Sequence, residues 1–151
     1  MEPVLLMSIK TKYAKQIFQG IKKYEFRRKS IGEKNCNKKI YIYSSKDDKA
    51  IIGYIIIDKI LSGDINFVLK NTNSLNNQEI KNYFNNCSNC YALHVSKFYK
   101  FLKPLNLKEI RNNYERCAIP QFYRYIKTTD PIYTELKKRE KRTDLINFYM
   151  K

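Results

Sequence analysis

The sequence predicts an α+β domain whose sheet curls into a β-barrel. Short runs of β-branched and aromatic residues, separated by turn residues, recur along the chain and indicate several strands. One amphipathic helix lies near the start, and only short helical patterns interrupt the polar, Asn-rich segment 64–89. At 151 residues the chain is long enough to bury one core and too short for two ordinary domains.

The first elements are a strand, a helix and a second strand. Residues 4–9 are apolar enough for a mostly buried strand, and Thr11 is the expected N-cap of the helix that follows. Gly20 ends that helix, because a left-handed residue is favoured there. The alternation beyond it predicts a strand with two unlike faces, one carrying Tyr24 and Phe26 and the other Glu25 and Arg27.

The remaining elements are predicted from the same patterns. Gly53 interrupts one strand, which indicates a bulge or a close approach of two backbones, and Pro104 is expected to close another. A change of character divides the chain into a barrel domain, residues 1–126, and a helical C-terminal extension, residues 127–151, packed on it. The predicted strands are 40–43, 50–61, 91–102 and 122–126, and the predicted short helices are 65–70, 79–84 and 107–114.

The extension carries a basic run and an apolar end. Pro131 is a good first helical residue, and the Lys- and Arg-rich run 137–142 follows on the same helix. Residues 145–149 are too apolar for a free tail. Packing on the barrel is the favoured interpretation, and a dimer contact or an RNA clamp is the alternative.

The chain is strongly basic. Thirty Lys and Arg against fourteen Asp and Glu give a formal net charge of +16. RNA or DNA is therefore the expected partner, and an anionic membrane surface is the weaker alternative. The start lacks the charge order of a signal peptide, and no apolar stretch approaches the length of a membrane span. We expect a cytoplasmic monomer or weak homodimer that binds RNA or a nucleotide and no membrane.

The four cysteines do not predict a metal site. Only Cys87 and Cys90 have ligand-like spacing, and zinc would need two further ligands. The single histidine, His94, alternates with apolar residues as in a strand. We expect free thiols, no metal and no cofactor.

The most informative stretch is a G-x-K-x-x-E-x-R pattern from Gly20 to Arg27, where the helix gives way to the strand. Gly20 permits a sharp reversal, Lys22 lies at the mouth of the turn, and Glu25 and Arg27 share one strand face. Arg27 is suited to bidentate binding of a phosphate or carbonyl, and Lys22 adds a point charge. A surface salt-bridge ladder is the alternative explanation of this spacing.

These residues resemble the ASCH domain family, which shares the G-x-K-x-x-E-x-R signature. The likeness begins in the stretch LLMSIKTKYAKQIFQGIKKYEFRR and extends over about residues 4–126 in the expected order. Segments 42–45, 51–54, 90–93 and 120–125 also carry it. The resemblance implies a PUA-like β-barrel with a cleft, lined by the signature residues, that faces RNA or nucleotides.

The same resemblance implies two kinds of function. Family members are proposed to act in RNA metabolism or as transcription coregulators, and some are enzymes. One group hydrolyses N4-acetylcytidine with a lysine that matches Lys22, and another is described as ribonucleolytic. In the first group a threonine stands where this chain has Glu25, and a second carboxylate has no match. Binding through a basic cleft is therefore the first hypothesis, and hydrolysis of a modified nucleoside or of RNA by Lys22 and Glu25 is the alternative.

Further residues are expected to line the cleft beside the signature. Ser44 and Ser45 are among them, and capping of a turn is an equally good explanation of these two serines. The aromatic residues of the last predicted strand, 122–126, suit core packing better than base stacking. A protein adaptor with a basic C-terminal helix is the least favoured function. The predicted ligand-binding residues are Lys10, Lys22, Glu25, Arg27, Tyr43, Ser44, Ser45, Gln121 and Arg124.

Overall fold

The computed structural model describes residues 2–114 and 117–149, with side chains described as far as residue 142. The apolar end of the predicted extension therefore lies outside the described side chains. The strands are β1 (Val4–Lys10), β2 (Tyr24–Arg27), β3 (Ile40–Ser45), β4 (Ala50–Gly63), β5 (Cys90–Asn106) and β6 (Tyr123–Ile126). The helices are α1 (Thr11–Phe18), α2 (Ile65–Asn71), α3 (Gln78–Tyr83), α4 (Leu107–Asn113) and α5 (Pro131–Tyr149), with one 3-10 turn at Glu33–Asn35.

All six strands belong to one sheet with the order β2-β5-β4-β3-β1-β6. β1 and β3 run parallel, and the other neighbouring pairs are antiparallel. Within the described residues the two edge strands, β2 and β6, are not paired with each other. The sheet is thus a curled half-barrel with a gap between β2 and β6, which confirms the predicted α+β class and curled sheet.

The central strands of the sheet are buried on both faces. Leu5 and Met7 of β1 belong to a core shared with α1, whereas Leu6, between them, belongs to a core shared with α4 and α5. Such alternation is the geometry of a strand covered on both sides. In α5, Ile132 and Leu136 are fully buried in the second core, so this helix packs on the sheet from its first turns.

Two local predictions were wrong. Pro104 does not end β5, because it lies where the pairing with β4 shifts register between Lys100 and Leu105, and a residue without an N–H is tolerated in such an irregular stretch. Thr11 is the first residue of α1 and not its N-cap. Its hydroxyl lies 2.9 Å from Ser44 Oγ and donates to the Ser45 carbonyl at 2.6 Å, which ties α1 to the end of β3.

Candidate functional site

A cavity of about 390 Å³ lies beside the gap between the two edge strands. Its lining comes from the end of β1, from α1, from β2, from the segment around α3 and from Gln121 just before β6. This volume is in the range of small-molecule pockets. Residues far apart in the sequence therefore meet here. The G-x-K-x-x-E-x-R signature contributes three charged residues, Lys22, Glu25 and Arg27.

The turn after α1 places Lys22 in this cavity. Gly20 has φ +76°, and the next two backbone N–H groups both donate to the Gln16 carbonyl, at 2.9 and 3.0 Å. A residue with a Cβ is strained at such a φ, so glycine is favoured there. Lys22 Nζ donates to the Tyr24 carbonyl and lies 4.8 Å from the ring centroid of Phe26. The ammonium is thus held by backbone and by an aromatic face.

Glu25 lies between two cations. Its Oε1 is 3.5 Å from Lys22 Nζ, and its Oε2 is 3.6 Å from Arg27 Nη2. The residue is only 5% exposed, and the backbone N–H of Phe26 donates to Oε1 at 3.1 Å. A carboxylate has about four lone-pair sites. Both flanking contacts are longer than a good hydrogen bond, so Glu25 keeps acceptor capacity for a ligand.

Arg27 is fixed on three sides but not fully satisfied. Its Nη2 donates to the Ser8 carbonyl of β1 at 2.6 Å, which links β2 to a strand that it does not pair with in the sheet. The guanidinium carbon lies 4.7 Å from the ring centroid of Phe122. Its Nε is buried and has no hydrogen-bond partner. A buried donor left unpaired costs about 1–3 kcal/mol.

The opposite side of the cavity is formed by α3 and the residues before it. Glu79 accepts from the Tyr13 hydroxyl and pairs with Lys12 Nζ at 3.1 Å, which links α3 to α1. The hydrogen bond to Glu79 raises the pKa of Tyr13 to about 12. Glu79, Tyr13, Asn77 and Tyr83 were not predicted as site residues.

The structure brings together six of the predicted ligand-binding residues, since Lys10, Lys22, Glu25, Arg27, Ser45 and Gln121 all line the cavity. Within this lining, three cationic side chains face two carboxylates, those of Glu25 and Glu79. The positive charge of the cavity is therefore modest. Most of the excess positive charge of the chain lies elsewhere.

Three predicted residues lie outside this cavity. Tyr43 is 4% exposed and packs in the core on the α4 and α5 side of the sheet. Ser44 is fully buried, and its hydroxyl donates to Asp48 Oδ2 at 2.9 Å. Arg124 donates to the Ala118 carbonyl at 2.9 Å and lines a separate depression with Tyr114. Each is held by the fold in a place that the cavity does not reach.

The described residues give no sign of a metal site or a membrane span. All four cysteines are free thiols. The described part of the chain contains no group of three or more His, Cys, Asp or Glu residues placed to hold a metal. No helix among the described residues combines the length and hydropathy needed to cross a bilayer.

A family model, a curated relative and a solved structure similar to this chain all carry the ASCH name. The family model of the ASCH domain matches residues 7–102. An ASCH domain-containing ribonuclease from Zymomonas mobilis is 29% identical over 116 residues, which cover 73% of this chain and 77% of that protein. The crystal structure of ASCH from Zymomonas mobilis has a TM-score of 0.76 at 23% identity, covering 88% of this chain and 94% of that chain. The N-terminal domain of Staphylothermus marinus McrB has a TM-score of 0.57 at 14% identity, covering 90% and 93%. The two structural likenesses concern the fold.

Proposed function

This chain belongs to the ASCH domain family, and we propose that it binds RNA or a nucleotide in the cavity lined by its signature residues. The observation that carries the proposal is the arrangement of Lys22, Glu25 and Arg27 at one end of a single cavity, with a buried and unpartnered donor on Arg27. Such a donor favours a ligand that supplies an oxygen or ring-nitrogen acceptor.

The surroundings of the charged residues favour a nucleotide over a small inorganic anion. Aromatic side chains of Tyr13, Phe26 and Tyr83 line the same cavity, and aromatic faces stack with unpaired bases. The net charge of +16 attracts a phosphate backbone over a longer range. The Zymomonas relative is named a ribonuclease, which also supports RNA as the ligand.

Replacing Arg27 with alanine is expected to weaken RNA binding by about 1–3 kcal/mol, or roughly 5–150-fold, for the RNA that occupies the cavity. The reason is the loss of a positioned guanidinium that contacts the ligand. The matched control is Arg28→Ala. Arg28 is the next residue, is exposed and lies outside the cavity lining, so its loss removes an equal charge without touching the site.

Fluorescence anisotropy of labelled RNAs with the wild type and both variants, at two salt concentrations, measures this effect. The control variant should lose only the small affinity that one generic phosphate contact provides, and that loss should shrink at higher salt. Equal, sequence-independent losses from both variants would show that the cavity is only part of a general basic surface. Absence of RNA binding by the wild type at low salt would refute the proposal itself.

Hydrolysis of RNA is a second candidate function, favoured by the environment of Lys22. Burial lowers the pKa of Lys22, and the nearby Arg27 adds to this, whereas Glu25 opposes it. A lysine with a lowered pKa is a better general base near neutral pH. In such a reaction neutral Lys22 takes the proton of a ribose 2′-hydroxyl, and the oxygen attacks the adjacent phosphorus. The bond from phosphorus to the 5′-oxygen breaks, which leaves a 2′,3′-cyclic phosphate and a 5′-hydroxyl whose proton comes from water.

If Lys22 is that base, the cleavage rate of a labelled single-stranded RNA is expected to rise with pH and to level off above the pKa of Lys22. The midpoint should lie below 10.5, because the pKa is lowered from that value. Lys22→Met should abolish the pH-dependent part. Lys23→Met is the control, since Lys23 is exposed and does not line the cavity. Unchanged cleavage in Lys22→Met would remove Lys22 from this role.

A further inference from the structure

Resting on the proposed function, we propose that the cavity selects a base with a carbonyl beside a ring N–H, guanine first and uracil second, over cytosine and adenine. The signature residues present hydrogen-bond donors and acceptors in a defined order. Within the cavity, Lys22, Glu25 and Arg27 contribute a cation, two carboxylate oxygens and a second cation.

This order is fixed by the backbone. Lys22 is held by the turn after Gly20, and Glu25 and Arg27 lie two residues apart on β2, which pairs with β5 in a regular register. Each oxygen of Glu25 has its own neighbour, since Lys22 Nζ is beside Oε1 and Arg27 Nη2 is beside Oε2. From Lys22 to Arg27 the site therefore presents a hydrogen-bond donor, two acceptors and a second donor.

The groups are only partly satisfied by the protein. The two ion-pair distances, 3.5 and 3.6 Å, exceed the usual N–H···O distance of about 2.9–3.0 Å. The longer distance, 3.6 Å, separates Glu25 Oε2 from Arg27 Nη2. Arg27 Nε is buried and has no hydrogen-bond partner. A ligand that presents two N–H groups between two acceptors would satisfy both carboxylate oxygens, Lys22 Nζ and Arg27 Nη2.

Among the four RNA bases, guanine presents that complement. Its edge runs from O6 through N1–H and the N2 amino group to N3, which is acceptor, donor, donor, acceptor. Uracil offers acceptor, donor, acceptor, so it satisfies one cation and one carboxylate oxygen and places its second carbonyl against the other carboxylate oxygen. Cytosine runs from its amino group to N3 and O2, so it has one N–H group for the two carboxylate oxygens, and its two acceptors are adjacent instead of flanking two donors. Adenine offers neither a ring N–H nor a carbonyl.

The burial of Glu25 makes a mismatch costly. A carboxylate that is 5% exposed cannot recover a lost hydrogen bond from bulk water, and a site built to bond an N–H rejects analogues that lack it. We therefore expect discrimination of about tenfold or more between guanine and either amino base, within the range known for bidentate base recognition.

Titration calorimetry with the 5′-monophosphates of guanosine, inosine, uridine, cytidine and adenosine tests this inference, because the phosphate and ribose are common to all. The expected order is guanosine, then inosine and uridine, then cytidine and adenosine. Inosine lacks only the N2 amino group, so its deficit relative to guanosine measures the bond to the second carboxylate oxygen.

Glu25→Gln is the matching variant, since a glutamine amide offers one acceptor and one donor in place of two acceptors. The variant should bind guanosine monophosphate about tenfold or more weakly than the wild type does. Its affinity for cytidine monophosphate should be unchanged or higher. Glu2→Gln is the control, because the Glu2 side chain is 75% exposed and lies outside the cavity. Should Glu25→Gln fail to fold, the ranking of the five nucleotides by the wild type still decides.

Cytidine or adenosine monophosphate bound as tightly as guanosine monophosphate would overturn the base preference. So would a failure of all five to bind. In both cases the RNA titration with Arg27→Ala remains an independent measure of the proposed function, so the two failures can be told apart.

Discussion

Replacing Gly53 with alanine is expected to destabilise the protein by about 3 kcal/mol or more, at the upper end of the cost of overpacking. An ideal Cβ at this position would lie 2.1 Å from the Tyr99 carbonyl oxygen and 3.0 Å from Lys100 Cα. Both are backbone atoms of β5, so relief requires that the strands separate. The pairing of β4 and β5 is the longest in the sheet, and its disruption affects both cores.

Urea denaturation followed by circular dichroism measures this loss. Gly32→Ala is the comparison, because its Cβ would meet only Lys34 Cγ at 3.9 Å, although its φ of +88° adds backbone strain. That strain alone is expected to cost about 1–2 kcal/mol. A loss for Gly53→Ala no larger than for Gly32→Ala would show that the strands separate at this point with little penalty.

Replacing Arg139 with alanine is expected to cost about 3 kcal/mol of folding free energy, the lower end of the range for removing one partner of a buried ion pair. Arg139 is 5% exposed, and it contacts Glu135 Oε1 at 3.0 Å and Glu109 Oε2 at 2.9 Å. It also donates to the carbonyls of Lys103 and Pro104. Its removal leaves two carboxylates and two carbonyls without this donor, and loosens α5 from β5 and α4.

Lys138→Ala is the control on the same helix, since Lys138 is exposed, and it should change the stability by less than about 0.5 kcal/mol. Thermal or urea denaturation of both variants measures the difference. Equal and small effects would mean that α5 is held by its apolar residues alone.

The burial of Arg139 also bears on the basic run of α5, where Lys137 pairs with Glu140 at 3.0 Å. Fewer of these charges are available to RNA than the sequence suggests.

Much of the fold could be predicted because local patterns agree with it. Gly20 lies between a helical period and an alternating period, and the structure confirms a helix before it and a strand after it. The end of β5 could not be predicted, because Pro104 is tolerated only through a register shift between β4 and β5. Such a shift depends on a partner strand that is distant in the sequence.

The site was predictable only in part, for a similar reason. Alternation along β2 predicted Glu25 and Arg27 on one face, and both line the cavity, as does Phe26 between them. Tyr43 and Ser44 were misplaced because every residue of β3 up to Ser44 is buried, so apolarity does not show which face a side chain takes. Glu79 and Tyr83 belong to a polar segment whose position is set by tertiary contacts. The local pattern predicts a helix at 79–84 but does not show what that helix faces.

The pairing of β2 also determines when the site can form. In the described sheet β2 has β5 as its one neighbour, so residues 24–27 pair with residues 91–94. During synthesis the chain emerges from its N-terminus, and these partners are separated by the whole of β3, β4, α2 and α3. Contacts between distant segments form only after the intervening loop has been closed. A ribosome-bound fragment that ends before β5 therefore contains the complete signature but no assembled site.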